Sequence, residues 1–328
     1  MASHKKQHAV PQCYLRAWCD PVAHKGKRQV WLFDKDGSNP RRKSAKSIFH
    51  ETDLYTIHRK DGERDLVLEH GLSGLESAFV GIREKLARHE QLTDEEHVKL
   101  CAFIAAQHVR TPAQRDHLRG QWGKVLEKME LMREWAKTAT PEQLRDAGSI
   151  ARGSGPSLGY EDVKRMAEQP MQTMLAPQIE TQLPLLVQMD YVIMECATEP
   201  GFITSDNPCV WWDPEAYKKP PIWRQPGLAT QTLEISMPLS PRQRIILNWK
   251  GVSGYVPVPE RMVDNANRQA RFGCSEHFVS RSKTTKSIWF DRGEEPDDSW
   301  EKLHPKSRLD QEVAEFKREL GEVIEEDE

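Results

Sequence analysis

A change of hydrophobic period along the chain constrains its fold more than any other feature. From Leu66 to Glu90, Leu68, Leu72, Leu75, Phe79, Ile82 and Leu86 recur at helical spacing, which predicts an amphipathic helix. Thr93-Asp-Glu-Glu96 then pairs an N-cap residue with an acid at the third helical position, and opens a second helix carrying Leu100, Phe103 and Ile104 toward Pro112. Beyond residue 190 the pattern shortens to that of strands, in Tyr191 to Cys196, Phe202 to Thr204, Leu233 to Leu239, Arg244 to Trp249 and Glu276 to Arg281. A chain of this kind reads as α+β, a helical middle region packed on a mostly antiparallel sheet formed largely by the second half.

The segments between complete this expectation. His8 to Trp18 is a short helical hook with Pro11 in its first turn and Tyr14, Leu15 and Trp18 on one face. Gln29 to Asp34 is a strand, Asp36-Gly37 a turn, and Asp53 to Ile57 the expected partner strand. Arg115 to Lys137 continues as a charged helix, 148–159 has the Gly and Ser content of a flexible insertion, and a further apolar stripe runs from Met171 to Leu186. The strand ending at Cys196 is expected to turn as a hairpin into Phe202–Thr204. The segments Leu233–Leu239 and Arg244–Trp249 form another hairpin, in which Pro238 favours an edge or a bend. Glu260 to Phe272 is helical. Residues 1–290 thus form a single domain, and 291–328 an acidic linker and a C-terminal amphipathic helix whose Leu309, Val313, Phe316, Leu320 and Val323 share a face. That helix must bury this face on its own domain or, through residues 309–324, on a second copy.

With 47 Lys+Arg against 50 Asp+Glu in 328 residues the net charge is only −3, but the bases crowd the first half while the last 35 residues are acidic. This permits a nucleic-acid or nucleotide partner for the first half. The six cysteines include no C-x-x-C pair, the amino terminus lacks the apolar core of a signal peptide, and no apolar run is long enough to span a membrane. A cytoplasmic protein with no membrane partner is expected.

The chemistry-bearing residues fall in two places. At about 100° per residue, Gln107 and Arg110 lie on the apolar face of the second helix, where their burial requires partners, and Glu76 on the first helix is the obvious one for Arg110. The arrangement suits a structural ion pair or an anion pocket. Arg110 and His117 also share the spacing of an Arg and a His in helical ribonucleases of the higher-eukaryote-and-prokaryote nucleotide-binding class. In the second place, Thr204, Ser205, Asp206 and Asn207 set four hydrogen-bonding side chains at a strand end before Pro208, which suits an Asx-type turn or a carboxylate base. No metal-ligand spacing and no glycine-rich phosphate loop is present, and the sequence leaves the cofactor unknown.

Taken in order, His8-x-Val-Pro-x-x-Tyr-Leu-Arg16, Leu75-Glu76, Gln107-x-x-Arg-Thr-Pro112, Phe202-Ile-Thr-Ser-Asp-Asn-Pro208, Pro238-Leu-Ser-Pro241 and Asn267 resemble the microbial group called domain-of-unknown-function family 4238. The resemblance runs from about residue 4 to 282, and differs at Trp18, where that family often has Phe. It implies one domain and a shared polar set: His8, Arg16, Glu76, Gln107, Arg110, Ser205, Asp206, Asn207 and Asn267. It brings no activity.

The resulting expectation is a hydrolase-like enzyme acting on a phosphodiester or nucleotide. In it His8 and Asp206 are catalytic, Arg16, Gln107, Arg110, Ser205 and Asn207 bind substrate, and Glu76 and Asn267 support them. The alternative is a non-catalytic binding or regulatory protein in which the same residues form a buried structural network.

Overall fold

The computed structural model describes residues 6–19, 28–59, 61–150, 158–293 and 296–303. In chain order the strands and helices are β1 (Lys6–His8), α1 (Gln12–Leu15), β2 (Val30–Asp34), β3 (Arg41–Lys43), β4 (His50–Thr52), β5 (Ile57–His58), β6 (Arg64–Asp65), α2 (Val67–Ala87), α3 (Asp94–Val109), α4 (Pro112–Thr138), α5 (Pro141–Ile150), α6 (Tyr160–Glu168) and α7 (Pro170–Leu186). They continue as β7 (Asp190–Glu195), β8 (Thr204–Ser205), β9 (Val210–Trp212), β10 (Glu234–Ser240), β11 (Gln243–Asn248), β12 (Gly254–Pro257), α8 (Glu260–Gly273), β13 (His277–Ser280) and α9 (Trp300–Leu303). This is the α+β architecture that the change of period predicts.

The helical middle forms as its pattern dictates. Thr93 closes a full capping box with Glu96, and Thr111 caps α4 with Pro112 in its first turn, so one proline ends α3 and starts α4. Helices α2 and α3 run antiparallel, as the pairings Glu76 with Arg110, Phe79 with Phe103 and Lys85 with Glu96 show. The Phe79 and Phe103 rings stack at 3.8 Å between centroids.

The main sheet has the order β12-β7-β11-β10-β9 and is antiparallel except for the β12–β7 pair. Its period of two sends Ile193, Ile235, Met237, Leu239, Ile245 and Leu247 to one face, all buried against the α2–α3 hairpin and the N-terminal hook. Each such side chain contributes about 1.5–3 kcal/mol by burial. The opposite face, carrying Met194, Arg244, Ile246, Glu234, Ser236 and Trp212, is covered in part by α8.

The second sheet, β3-β2-β13-β8, is where the chain departs from its local pattern. The partners of β2 are β3 and β13, not Asp53 to Ile57. Asp53 adopts a positive φ of 56° and its segment turns, with Thr56 N–H bonded to Asp53 O. Likewise β7 and β8 do not pair as a hairpin. β7 lies in the main sheet between β11 and β12 while β8 pairs with β13, because residues 196–203 cross from one sheet to the other. Pro238 sits inside β10 beyond the reach of β9, which stops pairing at Ser236, and the register shifts between Pro238 and Ser240, so it marks a bend and not an edge strand. The stretch expected to be flexible begins inside α5, which extends to Ile150. The amphipathic segment 309–324 lies outside the described residues. Among the described residues no helix is long and apolar enough to cross a membrane.

Candidate functional site

The hook carries the first motif. Val10, Tyr14, Leu15 and Trp18 enter the principal core. From there the Tyr14 hydroxyl donates to Pro238 O at 2.7 Å and lies 2.8 Å from Thr204 Oγ1, while Trp18 Nε1 donates to Phe202 O at 2.8 Å. The hook therefore bolts together both sheets. Just before it, β1 pairs with β4, placing His8 opposite His50 with ring centroids 5.5 Å apart. His8 Nε2 donates to Lys46 O at 3.3 Å. Burial holds its pKa below the usual histidine value, and the neighbouring charges of Arg110 and Lys46 act in the same direction.

The helical pair is as the helix geometry predicts. Arg110, 1% exposed, donates from Nη1 to Glu76 Oε1 at 2.9 Å. With the Gln107 amide turned as its hydrogen bonding requires, its oxygen accepts from Arg110 Nε at 3.0 Å and from Nη2. Each of the three guanidinium nitrogens thereby has one partner from the protein's own fold. Cys13 packs on the other side of Glu76, 4.0 Å from Oε2, and burial together with that carboxylate pushes its thiol up to about 11, far from a thiolate nucleophile. One heptad further along α2, about two turns from Glu76, Arg83 donates to the carbonyls of Cys13 and Tyr14. Arg16 stands apart on the exposed side of the hook, on a basic cavity of about 410 Å³ shared with Arg28, Ser44 and Lys46.

The Thr204–Pro208 segment is fixed by backbone. Asp206 accepts from three successive N–H groups, Ser275 at 2.8 Å, Glu276 at 2.7 Å and His277 at 2.8 Å, and so initiates β13. Ser205 Oγ donates to Asn207 O and accepts from Asn207 N–H, the expected side-chain turn. Asn267 on α8 accepts from Ile203 N–H and donates to Gly201 O, both at 2.9 Å, taking the place of a neighbouring strand. Gly201 needs its missing side chain: φ is +78°, and a Cβ there would lie 2.0 Å from Pro241 O. His8, Glu76, Gln107 and Arg110 thus gather at the base of the hook, while Ser205, Asp206 and Asn267 serve the second sheet. No hydrogen bond among the described residues joins Asp206 to His8 or Arg110.

Asn207 is different. Its Nδ2 donates to Gly273 O at 3.0 Å, but its buried Oδ1 has no partner. It borders an open cleft of about 430 Å³ with His108, Thr111, Gln114, His117 and Trp211, at the place where the Gln107–Pro112 and Phe202–Pro208 motifs meet. His108 stacks on Trp211 at 4.1 Å, and burial pulls its pKa to about 4 against the hydrogen bond from its Nδ1 to Gln182. His117 lies on this cleft, whereas the Arg110 guanidinium is turned to Gln107 and Glu76, so the Arg–His spacing brings no pair together. On the other flank of β9, Trp212 stands over cavities of about 160 and 420 Å³ beside α8.

Sequence reasoning named Asn207 as a site residue but gave no site role to His108, Trp211, Trp212, Arg244 or Gln269. The signal was the double tryptophan, whose successive side chains must face opposite sides of an edge strand. Among the described residues no group of three or more His, Cys, Asp or Glu is placed to hold a metal ion. The model of a family described as "Protein of unknown function (DUF4238)" matches residues 6–284. No curated protein and no solved structure matches the chain.

Proposed function

We propose that this chain, which belongs to the DUF4238 family, is a binding protein whose motif residues build a frame and whose ligand surface is the tryptophan strand β9. One observation carries this reading: the hydrogen bonds of the buried motif side chains Asp206, Arg110 and Asn267 are directed to the fold. Asp206 is committed to three backbone amides, Arg110 to Gln107 and Glu76, and Asn267 to the backbone of Gly201 and Ile203. A general base or phosphate clamp needs capacity left for substrate. The frame exits at Pro208 directly into Val210–Trp212, between clefts on either side.

The test is an assay of the purified chain, with and without divalent metal, on RNA, DNA and nucleotides, alongside Asp206→Asn and Arg110→Met. The expected result is intact substrate and variants that melt at lower temperature. Turnover by the native chain that Asp206→Asn abolishes at an unchanged melting temperature would overturn the proposal.

A second reading, a hydrolase of phosphodiesters or nucleotides, draws support from the cleft in which His117 stands near the unpartnered Asn207 Oδ1. In that case turnover is present and His117→Ala removes it while leaving the fold intact. Six cysteines without a disulfide support a reducing, cytoplasmic setting. The apolar spacing of 309–324 supports contact with a second copy, and sedimentation of a chain lacking residues 305–328 tests that contact.

A further inference from the structure

Beneath the uncovered part of the outer sheet face lies an arginine with no ion-pair partner among the described residues. Arg244 is 4% exposed, and its Nη2 donates to two neutral acceptors, Ser236 Oγ and Gln269 Oε1, the latter at 2.9 Å. Its Nε is buried with no partner, and no described carboxylate forms an ion pair with it. Glu234, whose charge also acts on it, is held by Lys250 at 2.9 Å. Burial lowers the Arg244 pKa to about 10, the mark of a cation kept charged at a cost.

The position of this arginine gives the cost a use. Arg244 lines the cavity of about 160 Å³ between the sheet and α8, with Ser236, Asn265 and Gln269 as further polar groups and Glu234 as its one described carboxylate. That cavity shares Trp212 and Gln269 with the larger one of about 420 Å³, whose walls are Trp211, Phe272, Arg268 and Arg292. On α8 the contributing residues Met262, Asn265, Ala266 and Gln269 recur at helical spacing, and Arg268 and Phe272, four apart, flank them, so one helix face serves both cavities. A buried arginine in one cavity and flat aromatic walls in the adjoining one are the chemistry of a phosphate joined to a planar ring.

We propose that the groove between α8 and the outer face of the β9–β10–β11–β7 sheet binds a nucleoside phosphate, with the phosphate against Arg244 and the base between Trp212 and Phe272. The inference rests on the reading of β9 as the ligand surface and uses none of the motif residues. The two cavities together have the size of a small-molecule pocket, which favours a free nucleotide over a nucleic-acid chain.

Calorimetric titration of the full chain with the four nucleoside 5′-monophosphates, with adenosine, with inorganic phosphate and with a single-stranded RNA oligonucleotide tests it. At least one monophosphate is expected to bind about tenfold or more tightly than adenosine or phosphate, the loss expected when one stacking or charged contact is missing. Trp212→Ala, at a side chain left 43% exposed, is expected to weaken that monophosphate about tenfold without changing the melting temperature. Arg244→Met is expected to abolish binding of the monophosphate and of inorganic phosphate; should it not fold, Arg244→Lys, which keeps the charge but not the planar fork, is expected to weaken both about tenfold. The proposal is overturned if no monophosphate exceeds adenosine, if the variants bind as the native chain does, or if only the oligonucleotide binds. Loss of the groove in this way leaves the stability effects of Asp206→Asn and Arg110→Met as a separate test of the frame.

Discussion

Asp206 and Asn differ at one position by a single oxygen, yet at this site the difference decides whether three amide donors are satisfied. Asn would present an NH2 group to at least one of the N–H groups of Ser275, Glu276 and His277, and would lose the charge that strengthens the rest. Asp206→Asn is expected to cost about 2–4 kcal/mol in urea unfolding. Arg110 makes a sharper case, because part of its value is the cost of what it leaves behind. Arg110→Met strands the fully buried Gln107 amide and the Glu76 carboxylate, and is expected to cost about 3 kcal/mol. Adding Gln107→Leu removes one stranded group, so the double variant should be more stable than Arg110→Met alone; equal or lower stability would show that the amide finds another partner. This triad was legible because Glu76 and Gln107 lie on helices and Arg110 caps the end of one, so that helical spacing fixes their directions. The partners of Asp206 were not, since they come about 70 residues later in an irregular segment that no local period describes.

Elements were legible where a period and an end signal coincided. Helix α3 has both, with Thr93 and Glu96 at one end and Pro112 just past the other. The strands expected at 191–196 and 202–204 correspond to β7 and β8, but their adjacency suggested a hairpin, and only a crossing between sheets tells otherwise. The short segments near residue 53 failed for the opposite reason: a positive φ at a non-glycine residue leaves no clear sequence mark. Helix α3 also carries a pH dependence. His108 near its end has its pKa pulled from 6.5 to about 4 by burial, and His97 near its start is lowered for the same reason. Above pH 6.5 neither the folded nor the unfolded chain binds a proton at His108, and its contribution to stability is complete. As the pH falls from 6.5 toward 4 the unfolded chain takes up a proton that the folded chain refuses, so stability declines. His108→Phe keeps a ring against Trp211 and should flatten the difference in urea midpoint between pH 7 and pH 5, at a cost of about 1 kcal/mol at pH 7 from the lost Gln182 contact. An unchanged pH dependence in this variant would place the titration elsewhere.

At the scale of the whole molecule the N-terminal hook determines whether the parts unfold together. It pairs through β1 with β4, packs Tyr14 against the Phe79 and Phe103 rings of the helical hairpin, reaches Pro238 O in the main sheet, and reaches Thr204 and Phe202 O at the second sheet. The second sheet itself joins β2 and β3 from the start of the chain to β8 and β13 from its far half. Stitching of this kind ties the α2–α3 hairpin and the two sheets to one another, whereas independent domains are joined by few contacts. Unfolding in urea is therefore expected to be a single transition, with tryptophan fluorescence and far-ultraviolet circular dichroism coincident. Tyr14→Phe removes the hydroxyl shared by the two sheets and should shift both signals equally, by about 1–2 kcal/mol, because Pro238 O and Thr204 Oγ1 lose a buried partner at once. A transition that divides in this variant, with the sheet signal and the helical signal separating, would mean that the hook ties together units able to stand alone. In that event the frame built from the motif residues would be a clasp between two bodies, and β9 and its clefts would belong to one of them.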